Sequence, residues 1–543
     1  MKADYVIIGA GSAGCVLANR LSEDPMAKVV LIEAGGRDWS PYIHVPAGFM
    51  KMLDHPTLTW GYHAESDPGT AGRAILYPRG RVLGGSSSIN GLIYIRGQPE
   101  DFDHWAQLGN RGWGWDEVRP FFKKAENWEG GETEVRGKGG PLFTSKMDQA
   151  PLCAAVIEAG KEIGLEYRED VNDLPAGAGD SIGWCQQTRG GRRRASTART
   201  YLRPALKRPN LQVVVKAQVN RIVFDGRRAV AVEYVRGGAV ERADAEREVI
   251  LSAGAVNSPH ILQLSGVGAP EHLNRVGISV HHALPGVGQN LQDHYIARIS
   301  YPVSGASTVN ERSRGLALAG EVLRYIVTGK GMLTYSASLA AASVKVLEES
   351  ATPDVQCSIA PGSFKDGQIG ELDDFPGITT GAWQMRPLSR GYVEAKSNDP
   401  REAPAINPRY LSEQTDRRAI IGGLRFVRRL FTAPALAKYV GAEILPGAQV
   451  STDDELLDYA RQKGSTVYHA TCTCKMGGDN MAVVDDQLRV HGIERLRVID
   501  ASVMPTVTST NTNAPTIMIA EKGAEMIRRT ARATEPAVSA RAA

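Results

Sequence analysis

The feature that most constrains this chain is its beginning, Asp4-Tyr-Val-Ile-Ile-Gly-Ala-Gly-Ser-Ala-Gly14, where a short apolar run breaks into closely spaced glycines and then a helical pattern. The order reads as strand, tight turn and helix. Gly9 permits the turn, Gly11 lets a pyrophosphate approach the backbone, and Gly14 lets the helix pack against the strand, with Ser12 at the positive end of the helix dipole. A second apolar run, Lys28-Val-Val-Leu-Ile-Glu33, ends in a carboxylate about 20 residues further on, where a ribose hydroxyl needs an acceptor. The pair predicts a dinucleotide site with Glu33 on the adenosine ribose. A carboxylate there repels a 2′-phosphate, so NADP is disfavoured while FAD and NAD both stay open.

A chain of 543 residues exceeds one ordinary core, so two domains or a large composite are expected. Hydrophobic residues make up 42% and charged residues 23%, as in globular proteins, and a net charge of +3 points to neither nucleic acid nor an anionic membrane as partner. The first strand starts within a few residues of Met1, which leaves no room for a leader, and no run approaches the roughly 18 apolar residues of a membrane span; a cytoplasmic location is the expectation. Six cysteines (Cys15, Cys153, Cys185, Cys357, Cys472 and Cys474) are too sparse for a disulfide scaffold and are expected to be reduced. Cys472 and Cys474 lack a second pair at ligand spacing, so no metal site is assigned.

Residues 34 to 75 show no sustained periodicity and read as a long excursion. They lead to Gly80-Arg-Val-Leu-Gly-Gly-Ser-Ser-Ser-Ile-Asn-Gly-Leu-Ile-Tyr-Ile-Arg-Gly97, whose small residues allow backbone to lie against a flat or anionic ligand. Trp105, Trp113, Trp115 and Trp128 are expected to pack beneath a loop-rich cover, residues 152 to 163 to form a helix, and the basic run Arg189 to Arg194 to be a solvated loop. Period-two runs from Leu211 to Val235, with Asp225-Gly226 between them, predict antiparallel hairpins, and Glu248 to Ala253 a return to the parallel sheet. An amphipathic run with Ile420, Ile421, Leu424, Val427 and Phe431 predicts a helix.

The segment at 80 to 97, the N-terminal motif and a further stretch, Gly254-Ala-Val-Asn-Ser-Pro-His-Ile-Leu-Gln-Leu-Ser-Gly-Val-Gly268, together resemble the signatures of the glucose-methanol-choline (GMC) family of flavoprotein oxidoreductases, nearest its choline-dehydrogenase-like branch. The resemblance extends from residue 4 to about residue 529. It implies a mixed α/β fold: a Rossmann-like FAD-binding domain, discontinuous over 1–155, 195–300 and 465–531, and a substrate-binding domain over 156–194 and 301–464 built on an antiparallel sheet with helices. Residues 532–543 are expected to be a disordered tail.

The same resemblance implies FAD rather than NAD. It adds Ala34, Arg81, Val82, Gly85, Ser86, Asn90, Ile93, a backbone contact at Val219, and Asp500, Ala501, Asn511, Thr512 and Asn513 to Gly9, Gly11, Ser12, Gly14 and Glu33 as cofactor-binding residues. Some members attach FAD through a histidine at the position of Ile89; an isoleucine has no nucleophile, so noncovalent binding is expected. His469 matches the family's active-site histidine and Asn511 its partner. Removing hydride from an alcohol carbon requires the hydroxyl proton to leave, which assigns His469 as general base, Asn511 as amide donor to the developing alkoxide, and flavin N5 as hydride acceptor. After Pro515 a helix is expected to close the cofactor domain.

The expected activity is therefore oxidation of a primary alcohol to an aldehyde, with oxygen or a quinone or other carrier as final acceptor. Choline-specific members place a glutamate at a position aligned here to Leu339. An apolar Leu339, with Val467, Trp60 and Tyr468, favours a neutral aromatic or aliphatic alcohol. Choline dehydrogenase proper and a FAD-containing hydroxynitrile-lyase-like activity are the alternatives, with a noncatalytic flavin-binding protein more remote.

Overall fold

The computed structural model describes residues 1–366 and 370–534, in which two seven-stranded sheets carry the architecture. The first runs in the order Leu211–Val214, Val29–Ile32, Lys2–Ile8, Ala239–Leu251, Arg228–Arg236, Ala217–Asp225, with Leu496–Val498 also paired to Ala239–Leu251. Its parallel part, Val29–Ile32, Lys2–Ile8 and the end of Ala239–Leu251, is buried on both faces, which is why these strands read as unbroken apolar runs. Ala239–Leu251 serves two purposes: its beginning pairs antiparallel with Arg228–Arg236, and its end pairs parallel with both Tyr5–Ile8 and Leu496–Val498.

Ala217–Asp225 and Arg228–Arg236 form the expected antiparallel hairpin about Gly226. Leu211–Val214 departs from expectation: it lies parallel to Val29–Ile32 at the sheet edge. Alternation identifies a strand but not the direction of its partner, and Lys216, at φ 56°, turns the chain away before the hairpin begins. The helix Ser12–Leu21 and the long helix Asn513–Thr534 pack together on this sheet. Between them the buried Glu521 accepts hydrogen bonds from Arg20 at 2.7 Å and from the Tyr201 hydroxyl at 2.8 Å. A buried carboxylate is tolerated because it is paired and bonded at once. The helix reaches Thr534, three residues into the stretch expected as tail; the remainder, 535–543, lies outside the described residues.

The second sheet runs Ser465–Thr466, Tyr295–Pro302, Gly377–Gln384, Val355–Ala360, Ala340–Val344, Ser181–Trp184, Glu166–Arg168 and is antiparallel apart from its last pair. The helix Gln414–Phe431 covers one face through Ile420, Leu424, Val427 and Phe431, leaving the other face free. Residue 155 falls inside the helix Pro151–Glu162 and residue 300 inside the strand Tyr295–Pro302, and both elements belong to this second core.

Trp105 and Trp113 are fully buried in the first core and Trp128 lies under Arg136, as aromatic packing requires. The basic run is a correction. Arg192 and Arg193 are solvent-facing, but Arg194 is buried and donates to the carbonyls of Ile43 and Asn90 and to Asn90 Oδ1 at 2.6–2.8 Å. It ties down the glycine-rich segment from beneath, and burial lowers its pKa to about 9. A run of arginines does not reveal which of them the backbone turns inward.

Candidate active site

The first sheet's strand ends and the free face of the second sheet enclose a cavity of about 880 Å³. Its two ends differ in construction.

At one end the turn after Lys2–Ile8 delivers Gly9, Gly11 and Ser12 to the cavity wall. Gly14 lies behind this wall: a Cβ there would stand 1.8 Å from the Gly9 carbonyl oxygen, so only glycine lets the helix begin this close to the strand. Gly85, at φ 51°, brings the second glycine-rich segment onto the first, where a Cβ would sit 2.7 Å from the Gly11 Cα. The Ser12 hydroxyl donates to Asn513 Oδ1 at 2.8 Å, so the N-termini of the helices Ser12–Leu21 and Asn513–Thr534 converge. Two positive dipole ends facing one cavity suit a diphosphate.

Glu33 ends its strand at the wall and accepts from Ala10 N and Gly35 N, each at 2.8 Å. Burial pushes its pKa up to about 7 against the pull of these two amides. The hydroxyls of a ribose would add donors that favour the ionised form. Ala34, Arg81, Ser86, Asn90, Ile93, Val219, Asp500, Ala501 and Thr512 also line the cavity, whereas Val82 is buried behind it with Ile43 and Met52. Asp500 accepts from Gly254 N, the Ser258 hydroxyl and Ser502 N, which joins the third parallel strand end to the helix Gly254–Leu264. Three parallel strand ends, two convergent helix N-termini and a ribose acceptor fit a flavin adenine dinucleotide.

At the other end stand His469 and Asn511. His469 Nε2 faces Asn511 Nδ2 at 2.9 Å, and His469 Nδ1 faces His294 Nδ1 at 2.8 Å. His294 Nε2 lies 2.8 Å from the Met385 carbonyl, which can only accept. Elementary bookkeeping then fixes the protons. His294 donates through Nε2 and, being neutral, accepts at Nδ1. His469 must carry its proton on Nδ1, and its Nε2 lone pair takes the Asn511 amide N–H. Burial holds the His469 pKa well below the ordinary imidazole value, with His294 and the Arg79 guanidinium pushing the same way. A neutral imidazole with its lone pair toward the cavity has the chemistry a general base needs.

The backbone of His469 is anchored by Asp293. Its Oδ1 accepts from His469 N and His294 N at 2.7 and 2.9 Å, and its Oδ2 from the hydroxyls of Thr466, Tyr410 and Tyr77 at 2.5–2.9 Å. Five donors on one buried carboxylate hold three chain segments in register. Asp293 and His294 were not singled out in the sequence; the polar triplet Gln292-Asp293-His294 just before an apolar strand was the available signal.

Trp60, Val467 and Tyr468 line this end, as expected. Leu339 does not. It is fully buried in the second core, and its segment presents Ala337 and Ser338 to the cavity instead. Leu339 immediately precedes the strand Ala340–Val344, and its N–H and carbonyl already join the second sheet through Ile359 and Cys185, turning its side chain inward. Trp383, edge-on to His469 with ring centroids 6.5 Å apart, is a further wall residue missed in the sequence. Among the described residues, no group of three or more His, Cys, Asp or Glu side chains could hold a metal, all six cysteines are buried and free, and no helix is long and apolar enough to cross a membrane.

Two family models, both for GMC oxidoreductase, match residues 3–296 and 387–520. The chain belongs to the GMC oxidoreductases. It is 42% identical to the oxygen-dependent choline dehydrogenase of Brucella ovis, over 97% of this chain and 96% of that one. It is 39% identical to the alcohol dehydrogenase [acceptor] of Pseudomonas putida, over 96% and 95% respectively. Among solved structures it is similar to pyridoxine 4-oxidase from Mesorbium loti, with a TM-score of 0.86 and 30% identity over 97% of this chain and 99% of that one. This GMC oxidoreductase is thus an FAD-dependent alcohol oxidoreductase with the mixed α/β, two-sheet fold of its family.

Proposed function

We propose that this GMC oxidoreductase oxidises a primary alcohol to an aldehyde, with His469 accepting the hydroxyl proton, Asn511 stabilising the developing alkoxide, and FAD bound noncovalently. The observation that carries the reading is the hydrogen-bonded series Met385, His294, His469, Asn511, which supports a neutral base whose lone pair opens to the cavity. The bound cofactor would supply the hydride acceptor. The chain's own residues do the rest.

Asn511 occupies the His469 lone pair until a substrate hydroxyl displaces it. The alcohol then gives its proton to Nε2 while the freed amide N–H turns to the alcohol oxygen, so negative charge on that oxygen meets a donor as it forms. Asn511 Oδ1 is buried with no partner, consistent with an amide left half-satisfied for a ligand. His294 receives the His469 Nδ1 proton as a hydrogen bond and keeps the ring in the productive tautomer. Trp60, Trp383 and Tyr468 wall the reacting centre with aromatic surface. Ile89, buried at the cavity wall where some members carry a histidine, supports noncovalent attachment.

An alcohol without a fixed cation is favoured over choline, since every carboxylate on the cavity wall is already engaged or remote. Glu33 holds backbone amides, Asp500 is bonded on both oxygens, Asp366 pairs with Lys463 at 2.5 Å, and Glu402 adjoins the Val219 end. The cation–π face of Trp60 is itself covered by Arg81 at 4.8 Å. The test is anaerobic bleaching of the flavin by a panel of primary alcohols, with choline and a cyanohydrin included. Bleaching by alcohols other than choline is expected. Bleaching by choline alone would replace the reading with choline dehydrogenation, and cleavage of the cyanohydrin without any bleaching would replace it with a lyase.

A further inference from the structure

The cavity floor at the His469 end is one face of the second sheet, and alternation along each strand decides what it presents. The cross-strand register places Arg298, Gly381 and Ser358 in one row over three neighbouring strands, all on the cavity wall. Gly381 keeps the middle of the row low enough for its neighbours to lie over it: a Cβ there would stand 2.3 Å from Ile296 Cδ1 and 3.2 Å from the Arg298 Cγ. The arginine stem has room to lie across the sheet with its head in the cavity.

Arg298 makes no ion pair among the described residues; it acts on the phenols of Tyr459 and Tyr468, near which the carboxylates of Asp366 and Asp293 are held by Lys463 and by backbone and hydroxyl donors. Arg79 reaches the same place from the glycine-rich segment. Its Nε and Nη2 are buried with no hydrogen-bond partner, its guanidinium lies 4.9 Å over the Tyr77 ring, and both arginines act electrostatically on Tyr468, next in the chain to the base. Two guanidinium groups face one cavity whose nearby carboxylates, Asp293 and Asp366, are already engaged by their own donors, so an anion entering the cavity would find both guanidinium groups free to bind it. A carboxylate matches the fork of an arginine in both geometry and charge.

We propose that Arg298, assisted by Arg79, binds a carboxylate on the substrate, so that the alcohol oxidised at His469 is the hydroxymethyl group of a hydroxy acid rather than a neutral alcohol. The inference rests on the alcohol-oxidising function proposed above and deepens it. The reaction stays balanced: the hydroxyl proton goes to His469, the carbinol hydrogen would leave as hydride to the bound cofactor, and the product would be an aldehyde that keeps its carboxylate. Arg298 is a specificity-determining group at the end of the substrate remote from the reacting carbon.

The experiment uses the FAD-loaded enzyme and matched probes: 4-(hydroxymethyl)benzoate, benzyl alcohol and choline as reductants, and 4-methylbenzoate as a binding probe that cannot react. The carboxylate alcohol is expected to bleach the flavin at concentrations about tenfold or more below those needed for benzyl alcohol. The variant Arg298→Gln should lose that preference while retaining FAD and its rate with benzyl alcohol, and 4-methylbenzoate should perturb the flavin spectrum of the parent enzyme but not of Arg298→Gln. Arg298→Lys, which keeps the charge without the fork, should recover part of the preference. Equal reduction by benzyl alcohol, a preference for choline, or a preference that survives Arg298→Gln would overturn the inference while leaving alcohol oxidation standing. Failure of every alcohol to bleach the flavin would instead remove the function itself.

Discussion

The cofactor end of the cavity and its substrate end are made by different geometric rules. The first is assembled from chain-local pieces: Gly9, Gly11 and Ser12 lie within one turn, Glu33 ends the next strand, and Asp500 to Asn513 is one continuous segment. The second is assembled from single residues at alternate positions of strands far apart in sequence, such as Arg298, Ser358, Gly381 and Trp383. A ligand common to a family can be held by a motif. A ligand that differs among members is met by scattered side chains that change one at a time without disturbing the sheet beneath.

If the two ends are separable in this way, damage at one should leave the other intact. The largest effect is expected from Gly14→Val, which forces side-chain atoms into the Gly9 carbonyl. The protein should purify without FAD, measured by flavin absorbance per chain, and a yellow, stoichiometric variant would break the account of that end. Next comes His294→Phe, which removes the acceptor for the His469 Nδ1 proton while touching no part of the cofactor wall. Flavin reduction should slow by roughly 10–100-fold with FAD content unchanged. His294→Gln, whose amide can donate to Met385 and accept from His469, should recover most of the rate, a rescue that a merely space-filling role would not give.

Acid provides a graded test. Burial lowers the pKa values of His469 and His294, and that of His260 to about 4, so all three are neutral in the fold while an unfolded imidazole titrates near 6.5. The unfolded chain therefore binds more protons below that value. The stability contributed by the neutral histidines is complete above pH 6.5 and is lost as pH falls through the window beneath it. Flavin reduction should likewise be flat through neutral pH and fall only well below 6.5; an acid limb centred above 7 would contradict a depressed base. The smallest effect on catalysis is expected from Leu339→Ala. It should cost about 2–5 kcal/mol of stability as a core cavity, read by denaturant unfolding, and leave the order of alcohol substrates unchanged.

These contrasts also explain what was legible in the sequence. The parallel strands, the glycine turns and Glu33 were readable because a nucleotide fold needs particular residues at fixed local spacing. His469 and Asn511 were readable only through resemblance, since an isolated histidine in an apolar segment usually packs in a core. Asp293 and His294 escaped because their value arises from partners 91 to 216 residues away. Leu339 was misplaced for a related reason: whether a residue at a strand edge faces a cavity or a core is set by the pleat, and a slip of one position reverses it. Leu211–Val214 was recognised as a strand and given the wrong partner, because period two carries no direction.

On this reading His469 performs the proton chemistry and contributes nothing needed to hold the cofactor. The measurement that tests it most directly is the anaerobic rate of flavin reduction by a saturating alcohol in His469→Ala, taken together with FAD per chain. Full FAD occupancy and a rate lower by roughly 10²–10⁴-fold are expected. A rate near that of the parent enzyme would remove His469 from the reaction, and loss of the flavin would show that the two ends of the cavity are not separate.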